Sequence, residues 1–414
     1  MRDFLLSVAV AAAASTLPSA AASAQSFQVT LVDGTTAEGR VVRVAGAGAE
    51  ANLVLEAGAG PRSIPFARIL GVHGQPPLPD REPSPALVLL VGGDRFEGEI
   101  TGGDAGGESL TIASRSLGPV QVPLDRLIGV RFPRRPVAAL DDDLRLPDGA
   151  DEDEALLRPA ARGFDLLLGE IERFTSRGVA FRWAQARGER TYTFDDLAGI
   201  ALRGGVDRKT RPTARLVTRS GDVVGVDWVG ADATHMAVRM ESGEEVRVPW
   251  TDVAAVSLLG APRRHLSDLP PTLIVEGEPA PGGGRLPPLY PVGFDRSSTG
   301  VFLATLGRCH AKGIGMHSST SVTFRVPDGC TKFLTFVAIG DEPLAGDVRG
   351  DVDVRIRLDK QVLFEKRSLR AGQDVTRPGV LDVVPGRMLT LEVERGRGLF
   401  IGDRVHWLSP VFLP

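Results

Sequence analysis

Three stretches of this chain carry the same pattern, and that repeat limits the possible folds more than any other feature. FQVTLVDGTTAEGRVVRV begins at Phe27, ALVLLVGGDRFEGEITGG at Ala86 and ARLVTRSGDVVGVDWVGA at Ala214. Each reads as an apolar strand, a tight Gly/Asp turn and a second strand with a glycine near its start. Each ends in a matching tail: SIPFARILGVHG from Ser63, VQVPLDRLIGVRF from Val120, VRVPWTDVAAVSLL from Val246. The DG, GGD and SGD turns supply residues that tolerate positive φ, as hairpins require. Alternation such as Val246-Arg247-Val248 sends one face inward and the other outward. The tail proline suits a strand start or an edge, where no ladder donor is needed. A weaker copy runs FDLLLGEIERFTSRGVAFRW from Phe164 and closes with YTFDDLAGIAL from Tyr192, without the tight turn or the proline.

A repeat of about 45 residues is one supersecondary unit, here a small, bent β-barrel-like sheet similar in strand spacing to SH3-like and Sm-like barrels. The expected boundaries are 25–74, 86–133, a degenerate 161–203, and 213–260. Three breaks separate the units. QPPLPDREPSP is proline-rich and extended, residues 134–160 form an acidic linker around LDDDLRLPDGADEDEA, and LRGGVDRKTRPT precedes the last unit. The acidic run lacks the EF-hand spacing that calcium binding would need, so it reads as solvated chain. Asp94 and Asp222 follow turn glycines, where aspartate commonly serves the backbone. No chemistry is visible in the units, and a spacer or interaction role is expected.

The 49 glycines and 30 prolines fit many turns and short strands. A net charge of −4 gives no basic field to attract nucleic acid. The opening MRDFLLSVAVAAAASTLPSAAASAQS has an apolar run followed by Ala22-Ser23-Ala24, a small-x-small cleavage pattern. The expectation is a signal peptide, 1–24, cut near Ala24, and an exported protein, periplasmic or secreted, that does not span a membrane. Cys309 and Cys330 are the only cysteines. In an exported chain they either pair or stay as two buried thiols.

From His265 onward the pattern changes. VTFRV, KFLTFVAI, VDVRIRL and MLTLEVE are strand signals separated by Gly, Asp and Pro turns, which implies a β-sandwich or jelly roll over 262–414. AKGIGMHSST at Ala311 is the densest polar stretch. It is not a phosphate loop, because the Walker pattern needs G-x-x-x-x-G-K-[ST] before a helix. No G-x-S-x-G elbow is present. Asp341 and Glu342 are adjacent, so a strand would point them to opposite sides, and no positioned carboxylate pair for glycoside hydrolysis is evident. The stretch reads as a strand-entry loop in which Gly313 and Gly315 permit close backbone approach.

LSDL at Leu266, DRSSTG at Asp295, GRCHAKGIGMHSSTSVTFRV at Gly307, FLTFVAIGDE at Phe333, DVRIRLDKQVLFEK at Asp353 and IGDRVHWLSPVFL at Ile401 resemble, in order, the NPCBM family of carbohydrate-binding modules. The resemblance implies a galactose-binding-like sandwich, an accompanying structural Ca²⁺ and a glycan or polysaccharide partner. One departure stands out: the family often ends in GD-x-x-DHADW, where this chain has Gly402-Asp403-Arg404-Val405-His406-Trp407. Candidate carbohydrate contacts are Trp407, His317, Asp341, Lys312 and Asp403. Trp407 is either a stacking platform or a core side chain, and His317 either a structural hydrogen-bonding residue or a ligand contact. No catalytic residue and no further cofactor is expected. The function expected is an exported, non-catalytic carbohydrate-binding protein. The alternatives are a structural or protein-interaction protein of the cell envelope, and an accessory part of a glycoside hydrolase system.

Overall fold

The structure is a computed structural model describing residues 25–414, apart from 47, 77–83, 134–153, 161–162, 186–187, 203–210, 279, 281, 283, 289, 343–349, 398–399 and 401. The signal segment, the proline-rich break and most of the acidic run lie outside the described residues.

The repeat folds as its alternation dictates. Unit 1 has strands Phe27–Leu31, Thr36–Ala45, Asn52–Ala57, Gly60–Pro65 and Ile69–His73, with a single 3-10 turn, Phe66–Arg68, before the last. Pairings of the first strand with the second and fifth, the second with the third and the third with the fourth give the order 5-1-2-3-4. Units 2, 3 and 4 repeat this order over 86–131, 154–202 and 214–258, each with its 3-10 turn in the same place. Among the described residues no pairing closes strand four onto strand five, so each unit is an open sheet rather than a closed barrel. The bend comes from a β-bulge in the second strand, at equivalent places in all four units: Val41/Arg43, Ile100/Gly102, Ile171/Arg173 and Trp228/Gly230. The glycine near the start of that strand has a steric reason. A Cβ on Gly98 would sit 2.1 Å from the Ala113 carbonyl oxygen on the next strand.

Unit 3 begins earlier than its sequence suggests. Its first strand is Glu154–Pro159, inside the segment expected to be acidic linker, and Phe164–Phe174 is its second strand. ALLRP follows a carboxylate run and turns through Ala160 and Gly163 without a Gly-Asp signal, which hides the strand.

The units are fused, not strung on linkers. The fifth strand of unit 1 pairs with that of unit 4 (Val72↔Val256), and the fifth strand of unit 2 with that of unit 3 (Val130↔Ile200). One apolar cluster runs through all four, from Phe27 and Val29 through Val88 and Phe181 to Val256 and Leu258. Units 2 and 4 also exchange aspartates. Asp94 accepts from the Gly225 amide at 3.0 Å and from Arg215 at 2.9 Å. Asp222, at the matching position, accepts from the Glu97 amide at 2.9 Å and from Ser114 at 2.8 Å. The two turn aspartates therefore join units, beyond the local backbone role expected of them.

The C-terminal part is the expected two-sheet sandwich. One sheet centres on Val405–Leu413 between Gly313–Met316 and Lys332–Ile339. The other runs in the order Leu273–Val275, Thr320–Arg325, Met388–Arg395, Asp351–Leu358, Gln361–Arg370. Val405, Trp407 and Phe412 face the sandwich core. Leu408, Val411 and Leu413 instead join Leu334 and Phe336 in packing against Leu70 of unit 1. A two-stranded hairpin, Leu303–Thr305 and Arg308–His310, lays Cys309 against Val217, Val223 and Ala255 of unit 4. The outer face of the first sheet is thus covered by the repeat units.

That covering separates the cysteines. Both are free and buried, Cys309 at the contact with unit 4 and Cys330 in the sandwich core. The candidate disulfide does not form, because the two side chains belong to different cores.

Candidate functional site

AKGIGMHSST is half strand and half crossover. Gly313–Met316 lies in the first sheet, and the next strand, Thr320–Arg325, lies in the second. His317, Ser318 and Ser319 carry the chain between them, with Ser319 at φ 63°. The glycines act as the sequence indicates. A Cβ on Gly315 would come within 2.4 Å of the Ser297 Cα, and one on Gly313 within 2.6 Å of the Trp407 carbonyl oxygen.

Lys312 does not reach solvent. Its side chain is 1% exposed, and its Nζ donates to Asp268 Oδ1 at 2.5 Å and Asp295 Oδ2 at 2.6 Å. LSDL, DRSSTG and HAKGIG, distant in sequence, thus converge on the buried Lys312, through a half-exposed Asp268 and a largely buried Asp295. Burial pushes the Asp295 carboxyl up, but Lys312 and then Arg215 outweigh it and hold it below the usual carboxylate range. His265 lies against the same cluster, and burial lowers it to about 4. These motif residues clamp the sandwich, and Lys312 is withdrawn as a ligand contact.

Trp407 is fully buried in the sandwich core. A ring with no exposed face cannot stack on a sugar, so the core alternative holds. Asp341 accepts from the Leu306 and Gly307 amides at 2.8 and 2.7 Å, fixing the tip of the hairpin. Asp403 is fully buried, accepts from the Asp351 amide at 3.1 Å, and has its carboxyl raised by burial. Asp341 and the Asp403 Oδ1 are committed to backbone groups, while the Asp403 Oδ2 is buried without a hydrogen-bond partner, and neither aspartate is seen in contact with His317.

His317 leads to the cavity. Its ring stacks on Tyr290 with centroids 4.8 Å apart and the planes 29° from parallel. Its Nε2 is buried with no hydrogen-bond partner. Burial lowers its pKa, which leaves the imidazole neutral near pH 7. The Arg404 guanidinium lies 5.5 Å from the centre of the same Tyr290 ring, within cation–π range. Tyr290 in turn lines a cavity of 310 Å³ formed by residues 290–293 and 296–300. Ser297, Ser298 and Thr299 give it three hydroxyls, and the Ser298 Oγ is buried and unpartnered. Beside it, the His406 Nε2 lies 3.2 Å from Glu342 Oε1. Burial raises the Glu342 carboxyl, but the His406 bond and charge outweigh this and hold it low. The arrangement offers hydroxyls, a neutral imidazole and guanidinium groups to a small polyhydroxylated ligand.

Tyr290, Ser298, Arg296 and Arg404 escaped the sequence reading. The signal for one was present, since Arg404 lies in the ending that departs from the family pattern. Among the described residues no group of three or more His, Cys, Asp or Glu side chains is placed to hold a metal ion. No helix among them is long and apolar enough to cross a membrane.

Two face-to-face antiparallel sheets, with the quoted motifs meeting at Lys312, are the observations a family comparison has to match. Residues 264–413 match the family model of the NPCBM/NEW2 domain. No curated protein matches the chain. Among solved structures, the chain is similar to carbohydrate-binding modules. A CBM51 module from Clostridium perfringens GH95, in complex with methyl-galactose, is 19% identical, with 36% of this chain and 99% of that one covered, at a TM-score of 0.30. The CBM51-2 and INT domains of Clostridium perfringens ZmpB are 18% identical over 49% of this chain and 40% of that one, at 0.31. Tandem CBM51 modules of the Streptococcus pneumoniae family 98 glycoside hydrolase are 12% identical over 87% of each chain, at 0.30.

Proposed function

We propose that this protein is an exported glycan-binding protein without catalytic chemistry of its own, which takes its ligand at the Tyr290 cavity of the sandwich. The observation that carries the reading is the NPCBM/NEW2 match over residues 264–413. The cavity supports it: its hydroxyls include an unpartnered Ser298 Oγ, and a volume of 310 Å³ suits a single sugar unit. The fused units hold the domain by its outer sheet face and leave this loop end accessible. They act as a rigid mount and not as a flexible spacer.

The test is a glycan array probed with the full mature chain and with Tyr290→Ala. Saturable binding that Tyr290→Ala weakens by tenfold or more is expected, with an unchanged melting temperature. Binding that is indifferent to Tyr290 would move the ligand elsewhere on the domain, and silence across the array would remove the glycan reading.

A further inference from the structure

Several arginine side chains of this protein pair with carboxylates. In the five-stranded sheet of the sandwich, Arg355 bonds to both Glu365 and Glu394, at 2.8 and 2.7 Å, Arg357 to Glu392 at 3.2 Å, and Arg370 to Asp351 at 3.0 Å. Between units, Arg126 and Arg215 each have a carboxylate partner at 2.7 and 2.9 Å. Two arginines at the Tyr290 cavity are not paired in this way. Arg296 lines the cavity and Arg404 lies over Tyr290, yet neither forms an ion pair among the described residues. The Arg404 Nε is, in addition, buried and without a hydrogen-bond partner.

The neighbouring carboxylates are bonded to other groups. Glu342 Oε1 is bonded to His406, its Oε2 is buried without a hydrogen-bond partner, and its charge is felt by Arg404 without an ion pair; Glu278 accepts from the Ser319 hydroxyl at 2.7 Å. A half-buried guanidinium with an unsatisfied N–H is costly unless something arrives to pair with it. The buried hydroxyl of Ser298 and the buried Nε2 of His317 make the same demand nearby, and both residues are more than nine-tenths buried. One ligand that offers hydroxyls to the serines and a planar anion to the arginine fork would satisfy all of them.

We infer that the Tyr290 cavity takes an acidic glycan, a sugar bearing a carboxylate, with Arg404 and Arg296 pairing to the carboxylate and the Ser297–Thr299 hydroxyls bonding the ring. The inference rests on the glycan-binding reading above and adds the class of sugar. Specificity then lies in the arginines, because the hydroxyl wall serves neutral and acidic sugars alike.

The test measures binding of the full mature chain to oligogalacturonate, to the matched neutral galacto-oligosaccharide and to its sulfated counterpart, by calorimetry at two salt concentrations. The acidic ligand is expected to bind about tenfold or more tightly than the neutral one, as charge-assisted hydrogen bonds to a carboxylate would give, and to weaken with salt. Arg404→Gln and Arg296→Gln should erase that preference by weakening the acidic ligand more than the neutral one. Arg404→Lys keeps the charge but loses the fork, and should retain part of the preference, which serves if Arg404→Gln does not fold. Equal affinity for neutral and acidic ligands overturns the inference, as does a preference that survives both glutamine substitutions in a chain of native melting temperature. Sulfated sugar bound as tightly as uronate overturns the carboxylate assignment. Failure to bind any of the three removes the glycan reading itself.

Discussion

The four-unit body and the sandwich bury charge in opposite ways. In the sandwich, the ion cluster of buried Lys312, Asp295 and half-exposed Asp268 joins three segments of one domain, with Arg215 of unit 4 acting on Asp295 from outside it. In the repeats, the buried carboxylates Asp94 and Asp222 reach out of their own units and finish the partner's hydrogen bonding. Unit 1 has Thr35 at the position of Asp94 and Asp222. Its turn aspartate, Asp33, stands two residues earlier and stays at the surface, where it bonds Thr35 and Arg68. The reach between units is thus confined to the two units that carry an aspartate after the turn glycine. A repeat pattern read from sequence fixes strand spacing but not the role of its polar residues.

The largest expected effect tests the partnership between units. Asp222 accepts from the Glu97 amide and from the hydroxyls of Ser114, Thr218 and Ser220, all in a fully buried place. Asp222→Ala should cost about 3–4 kcal/mol in chemical denaturation, since several buried donors lose their acceptor at once. Asp33→Ala should cost under about 1 kcal/mol, as exposed pairs do. Equal costs for the two would dissolve the comparison.

Lys312→Met is the sandwich counterpart. It strands the largely buried Asp295 carboxylate beside an apolar side chain, and a loss of about 3 kcal/mol is expected. Adding Asp295→Asn should recover part of it. Additive losses in the double variant would mean that the two groups do not act as a pair.

Acid should loosen the contact between the regions more gently. His73 of unit 1 donates from Nδ1 to the Cys309 carbonyl at 3.1 Å and stacks near His310 at 4.2 Å. Burial lowers His73 to about 4 and takes His310 well below its usual value. The unfolded chain takes up protons that the fold refuses, so the stability is fully present above about pH 6.5 and is lost as the pH falls towards about 4. Melting temperature should therefore drop across that window, and His73→Asn should flatten the slope. A profile identical in the variant would place the sensitivity elsewhere, for instance at His265.

The smallest expected effect is none. Reductant should leave the melting temperature unchanged, because Cys309 and Cys330 are free. A bridge between them would contribute roughly 3 kcal/mol, and a clear downward shift on reduction would reveal it.

The comparison also marks what was legible. Units 1, 2 and 4 could be read because Gly-Asp turns and Pro tails punctuate alternating strands. Unit 3 lost its first strand to an acidic preamble. The sandwich was legible from its ordered motifs, but the roles of those motifs were not. Lys312 looks like a surface cation until LSDL and DRSSTG fold onto it. Trp407 looks like an aromatic platform because sequence shows neither the strands flanking Val405–Leu413 nor the unit covering its far side. The cavity side chains escaped for a related reason, since Tyr290 and Arg404 are neighbours only through the crossover that places His317 between the sheets.

The pairing of the fifth strands in units 1 and 4 has a consequence in time. Val72 finds its partner Val256 only after the whole repeat body has been made. Until then the first unit leaves a row of backbone donors and acceptors open, and its closure waits on a contact between the two ends of the repeat body. Contacts of that span form late and slowly. An unfinished edge is also a place where strands from other chains can add. The order of synthesis, and not only the sequence, thus bears on whether this chain reaches its fold.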